Sequence, residues 1–474
     1  MFVRRMLLLG LLITVGGGMA VAQRPQLGNA VQQFVKVNAP VVAITHVRVI
    51  DGTGAPARDD QTVILKDGNI AAVGPNLPVP EGATVIDGTG KSLIPGLVML
   101  HEHTYYPTTS QGVTTVYAQL GQSFTRLYLA GGVTTMRTGG NVNGVMDLTL
   151  ARRADGFAIP APAIDATAPY LNGPNTFLQM HSLKDADDAR RQVAYWAEMG
   201  ATSFKAYMQI TRAALGASIE EAHKRGLKVT GHLCSVTYAE AAALGIDNLE
   251  HGFAAATDFV ADKKPDVCPQ GGQQSIGQLD PASPAFQQLV KTLVDRKVAL
   301  TSTLTVFETF TPGRPMPPGV EVLMPDLKTQ YEQTYARTSK NENSAYRTLF
   351  PKMMQLERAF ARAGGMLVAG TDPTGSGGVI PGYSNQRQLE LLVEAGFTPL
   401  EAISIGTLNG AKYLGRDARV GSIAVGKQAD LVLVTGNPAE RIEDVRKVDT
   451  VFRQGIGFDP EKLIASVKGR VGLW

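Results

Sequence analysis

Cysteine is nearly absent from this 474-residue chain, which holds only Cys234 and Cys268. That excludes the disulfide framework of a small secreted domain. The two thiols could still pair or stay free, and the sequence leaves both open. An excess of one charge is lacking too. The formal net charge is +3, and Arg4 and Arg5 belong to an acid-free start, so the remainder is close to neutral. A global electrostatic case for nucleic acid or an anionic membrane is thereby excluded. Charged residues are 18% and hydrophobic residues 44% of the chain, a balance that excludes a disordered protein. No run is apolar over the roughly 20 residues that a bilayer span requires. The mature chain is therefore expected to make no stable membrane insertion.

What is present begins with an export signal. Residues 1–22 have a basic start, an apolar run from Met6 to Val15 and an Ala20-Val21-Ala22 cleavage site. Cleavage near Ala22 would deliver a periplasmic or secreted protein. "RRMLLL" does not separate general from twin-arginine export.

Short β-branched runs broken by Asp-Gly and Gly-Thr-Gly turns follow, as in "VVAITHVRVIDG" and "TVILKDGNIAAVG". The pattern returns in "GSIAVGKQADLVLVTG" near the other end. Residues 40–94 and 417–460 are thus expected to form one small β-sandwich domain. Residues 95–416 alternate strand and helix. Eight strands are read: "LVMLHEH", "GVTTMRT", "PAIDATAPY", "TSFKAY", "LKVTGHL", "DNLEHGF", "VALTSTLTV" and "GMLVAGTD". Such a rhythm predicts an α/β fold with a (β/α)8 TIM barrel. "TFTPGRPMPPGVEVLMPDL" reads as a Pro-rich insertion after the seventh strand.

Chemistry collects at the strand ends. Side chains two apart on a strand share a face, so His101 and His103 point one way and Glu102 the other. Lys205 lies in the fourth strand, His232 and His251 close the fifth and sixth, and Asp372 closes the eighth. A barrel brings these ends to one mouth. A lone strand histidine is more often a satisfied core residue, but six such groups on five strands are hard to explain by packing. Four imidazoles and a carboxylate suit zinc or a similar divalent ion. An ammonium has no lone pair to offer, so Lys205 makes sense as a carbamate bridging a pair of ions. Those ions would activate a water to hydroxide, with Asp372 accepting its proton. On the same rim, Tyr207, Tyr170 and Arg137 are candidates to hold a substrate carboxylate, with His181 nearby. His46 and His223 read as surface residues.

The segments "PGLVMLHEH", "GGVTTMR", "SFKAYMQ", "VTGHL", "GIDNLEHGF", "AGTDP", "FTPLEAISIGTLNGAKYLG" and "GSIAVGKQADLVLV" resemble the amidohydrolase superfamily. Within it they look most like the prolidase-like, imidazolonepropionase-related branch with a carboxylated lysine. The resemblance runs from about residue 40 to 455. It implies that His101 and His103 bind the more buried ion, that carboxylated Lys205 bridges, that His232 and His251 bind the second, and that Asp372 completes the centre. It also implies hydrolysis of amide bonds in Xaa-Pro-like dipeptides, N-acyl amino acids or ochratoxin-type amides. Thr138 stands where many relatives carry an acid, and His181 is shifted from the family's histidine after the third strand. These departures bear on the substrate. The rival readings are a lactonase or cyclic amide hydrolase on the same site, and a non-catalytic exported binding protein. The expected partner is a small-molecule amide; homo-oligomerisation is left open.

Overall fold

The computed structural model describes residues 25–110, 113–174, 176–177, 179–374 and 378–472. The expected export signal lies outside them. Among the described residues, no helix is long and apolar enough to cross a membrane.

Eight strands carry the site: β1 Leu97–Glu102, β2 Val133–Thr138, β3 Ala163–Asp165, β4 Ser203–Ala206, β5 Lys228–Gly231, β6 Asn248–Glu250, β7 Ala299–Ser302 and β8 Leu367–Ala369. Their sequences are rich in apolar and β-branched residues, and nearly every position is buried, as parallel strands covered by helices on the outside require. β1, β2 and β3 pair in parallel, and so do β4 to β8. Parallel bridges from Thr167 to Ser203 and from Leu171 to Ala206 join the two groups. The amides of Thr371 and Asp372 both donate to the His101 carbonyl and bring the end of β8 against β1. The ring is a (β/α)8 barrel.

Helices connect the strands, and their ends are written in the sequence. Asp185 caps the helix Ala186–Met199 through the Asp188 amide, and Gly200 ends it at a φ of 104°. Thr237 and Glu240 form a capping box on Tyr238–Leu244. The Pro-rich stretch after β7 lies between the short helix Leu304–Glu308 and the long helix Pro325–Ser339. A hairpin of Tyr105–Ser110 and Val113–Gln119 follows β1.

Both ends of the chain contribute to one nine-stranded sheet. In it, Lys91–Pro95 pairs antiparallel with Leu431–Thr435. The sheet has its own core, with Val42, Ile44, Val63 and Leu93 packed with Leu431, Leu433 and Phe452.

Candidate metal centre

His101 and His103 are each 2% exposed, and their rings meet edge to face with centroids 5.3 Å apart. Nδ1–H of His103 donates to the Gly140 carbonyl at 3.1 Å, which leaves Nε2 with its lone pair, 3.0 Å from Oδ1 of Asp372. Nδ1–H of His101 donates to Oε2 of Glu250 at 2.8 Å, so its Nε2 also faces Asp372, at 3.5 Å. Partners of this kind fix the tautomer and aim of a metal-binding imidazole. The His251 ring lies 4.6 Å from that of His101 and 4.4 Å from that of His232. Its Nδ1 is 2.8 Å from the Thr303 hydroxyl.

Backbone conformation turns two of these side chains inward. His251 has a φ of 67° and Asp372 a φ of 57°. A positive φ interrupts strand alternation and is costly outside glycine. Glu250 and His251 are neighbours in sequence, yet both touch the cluster. Glu102 points the other way, accepting from the Thr371 hydroxyl at 2.5 Å and the Asn385 amide at 3.0 Å.

The electrostatics of three of the four imidazoles suit metal ligation, whereas at His101 the Glu250 and Asp372 carboxylates outweigh burial and raise the ring. Burial and the nearby Lys205 push His232 down to about 3. Burial, with His232 beside it, holds His251 well below the usual imidazole range, and burial also lowers His103. Neutral rings are the form that a metal takes. Nitrogen and oxygen atoms of His101, His251 and Asp372 lie within 4.8 Å of one another, so this donor set fits a divalent ion. Lys205 is 1% exposed, and burial lowers its ammonium to about 8. Its Nζ is 3.6 Å from Oε1 of Glu250.

All six residues line one pocket of about 290 Å³. Its walls are aromatic. Tyr105 and Tyr170 share a hydroxyl contact of 2.7 Å, and the Tyr207 ring sits 4.8 Å from Tyr170 and 5.1 Å from His232. Tyr117, Phe177, Phe307 and Phe310 complete the rim.

Two candidates are placed elsewhere. Arg137 does not reach the pocket. It is 1% exposed, and it donates to the Leu100 carbonyl and, at 2.7 Å, to Oε1 of Glu250. Its charge is taken by a carboxylate inside the barrel. His181 turns outward to Asp188, 3.0 Å away, with 45% of its side chain exposed. His46 and His223 likewise face acids at the surface, Asp60 and Asp247. Cys234 and Cys268 form a disulfide with Cα atoms 4.8 Å apart.

Sequence reasoning passed over Glu250, the hub of the buried network. The sign was a glutamate inside a strand otherwise apolar, directly before a histidine. It also passed over the hairpin that carries Tyr105 and Tyr117. The signal there was alternating Thr, Val and Tyr around Ser110-Gln111-Gly112.

A model of the amidohydrolase family matches residues 92–457. A dihydroorotase of Mycobacterium tuberculosis is 38% identical over 85 residues, 18% of this chain, and the match spans 18% of that relative's length. A prolidase candidate from Bifidobacterium longum has a solved structure that superposes with a TM-score of 0.66 at 25% identity, over 90% of this chain and 98% of that one. A Xaa-Pro dipeptidase with methionine bound in its active site gives a TM-score of 0.68 at 18% identity, over 88% of this chain and 100% of that one.

Proposed function

This chain belongs to the amidohydrolase family, and on that premise we propose that it is a metal-dependent hydrolase of a C–N amide bond in a small peptide or N-acyl compound. One observation carries the reading. Three buried imidazoles, the half-buried His232, Lys205 and Asp372, from the ends of five different strands, converge in one aromatic-walled pocket. His101, His103, His232, His251 and Asp372 would hold divalent ions, zinc by the donor chemistry, with Lys205 as a bridging carbamate. When bound, such ions supply Lewis acidity, which lowers the pKa of water and polarises a carbonyl.

The chain's own groups do the rest. Asp372, with 14% of its side chain exposed at the pocket floor, holds water by its carboxylate and accepts a proton. The water oxygen forms the new C–O bond, the C–N bond breaks, and the proton passes from Asp372 to the amine nitrogen. The tyrosine-rich wall keeps bulk water away and packs against an apolar or aromatic side group. The Tyr207 hydroxyl, rather than Arg137, is the donor available to a substrate carboxylate. The likeness to the prolidase candidate supports a dipeptide as substrate, and the aromatic walls suit an N-acyl amino acid or ochratoxin-type amide with an aromatic side group. The Cys234–Cys268 disulfide supports export, since disulfides persist in oxidising compartments.

Metal analysis of the purified protein, together with a panel of dipeptides and N-acyl amino acids, tests the reading. About two divalent ions per chain and turnover of an amide in the panel are expected. Full turnover after exhaustive chelation would sink it.

A further inference from the structure

A second cavity, of about 530 Å³, opens where the hairpin ends. It lies between Gln119–Leu120, the helices Gly121–Ala130 and Gly144–Asp155, and the segment that follows helix Pro460–Ala465. Its size falls in the range of ligand-binding clefts, and the catalytic reading gives it no role.

Its lining combines two chemistries. Arg126, Arg153 and Arg470 all face it. Among the described residues no carboxylate pairs with any of the three. Neutral groups alone hold Arg126: it donates to the Ser466 hydroxyl at 3.1 Å and lies 5.1 Å over the Phe34 ring. Burial and the like charge of Arg470 both work against the Arg126 cation. A surface elsewhere laced with ion pairs has gathered three cations here without an acid. The remaining wall is apolar, made by Leu120, Met146, Leu150 and Val467. Met146 is 39% exposed, and Val145 beside it is 53% exposed.

Cations on one side and apolar carbon on the other suit an anion with an apolar body. An inorganic ion would leave the apolar wall uncovered, and a neutral lipid would leave the arginines unanswered. We propose that this cavity binds a small organic carboxylate, at a site separate from the metal centre.

Octanoate is the probe, titrated calorimetrically into the full chain. A chelator-treated Tyr207→Phe variant, lacking both the metals and the hydroxyl proposed to take a carboxylate, is titrated in parallel, so that binding at the catalytic pocket is recognised by its loss there. Saturable binding to both proteins, weakened by added salt, is expected. Arg153 and Arg470 are exposed, so the double substitution Arg153→Gln/Arg470→Gln should fold normally. It should weaken octanoate by roughly tenfold or more, as for lost hydrogen bonds to charged groups. Octanol should bind wild type no better than octanoate binds the double variant. Equal octanoate affinity in wild type and the double variant overturns the proposal. So does equal affinity for octanol, or binding that vanishes in the chelator-treated Tyr207→Phe variant. Binding of octyl phosphate or anionic phospholipid vesicles without octanoate binding would also overturn it, by pointing to a phosphate headgroup.

Discussion

The Glu250 carboxylate stands 2.8 Å from Nδ1 of His101 and so decides which nitrogen of that ring is free. The same carboxylate takes the Arg137 guanidinium at 2.7 Å and lies 3.6 Å from the Lys205 amine. Glu250→Gln keeps the shape and removes the charge. Metal affinity is expected to fall roughly 10- to 100-fold, as for other groups that orient a ligand. Competition with a chromogenic chelator measures it, and unchanged affinity would remove Glu250 from the centre.

Asp372 and Lys205 should separate chemistry from metal retention. Asp372→Asn is expected to slow turnover by about 10²–10⁴-fold, the range for general base catalysis, while keeping metal better than Lys205→Ala. Lys205→Ala should lose both metal and rate, and added short carboxylic acids should partly restore it. An undiminished rate in Lys205→Ala would rule out the carbamate.

With Arg137 committed inside the barrel, Tyr207 is the residue proposed to take a substrate carboxylate. Tyr207→Phe should raise KM for a free-acid substrate and leave its methyl ester nearly unchanged. The measurement is kcat/KM for both substrates in both proteins. An equal loss on acid and ester would show that the hydroxyl does not read the charge.

Glu357 gives a dependence of stability on pH. Its Oε2 accepts from the Ser302 hydroxyl at 2.6 Å, its Oε1 has no partner, and burial raises the carboxyl to about 8. An unfolded glutamate titrates near about 4.3. Between these values the folded chain holds one more proton than the unfolded chain, so folding loses stability as pH rises. The contribution is complete below the unfolded value and gone once pH passes the folded one. Glu357→Gln should therefore gain on wild type between pH 5 and pH 9, by an amount on the order of 2–4 kcal/mol. Denaturant midpoints across that range check it, and parallel curves for the two proteins would refute it.

The disulfide closes a loop with a sequence separation of 34. Cys268→Ser should cost about 3–4 kcal/mol on the chain-entropy estimate. Thermal melts with and without reductant should show wild type losing stability on reduction and the variant indifferent to it.

The side chains that gather in the pocket were legible because each lies in or just after a short, largely apolar strand, and a barrel brings such ends together. Arg137 misled for a physical reason. Its place at a strand end suggested the rim, but its direction is set by Glu250, which is 113 residues away. Glu250 was itself hidden, because simple alternation turns it away from His251 and only the positive φ at His251 brings both inward. The cysteine pair could not be read at all. Their separation in sequence carries no geometry until the loops after β5 and β6 are folded over the barrel.

The sheet shared by both ends of the chain also imposes an order of assembly. Strand Lys91–Pro95 takes its antiparallel partner from Leu431–Thr435, so during synthesis it must wait for more than three hundred residues to emerge. Until then its edge is an open template for pairing with another chain. The barrel can close in the meantime, since its last strand, β8 Leu367–Ala369, precedes Leu431–Thr435 in the chain. Yields in cells should accordingly depend on what shields residues 91–95 while translation finishes, and variants that speed barrel folding would leave that interval unchanged.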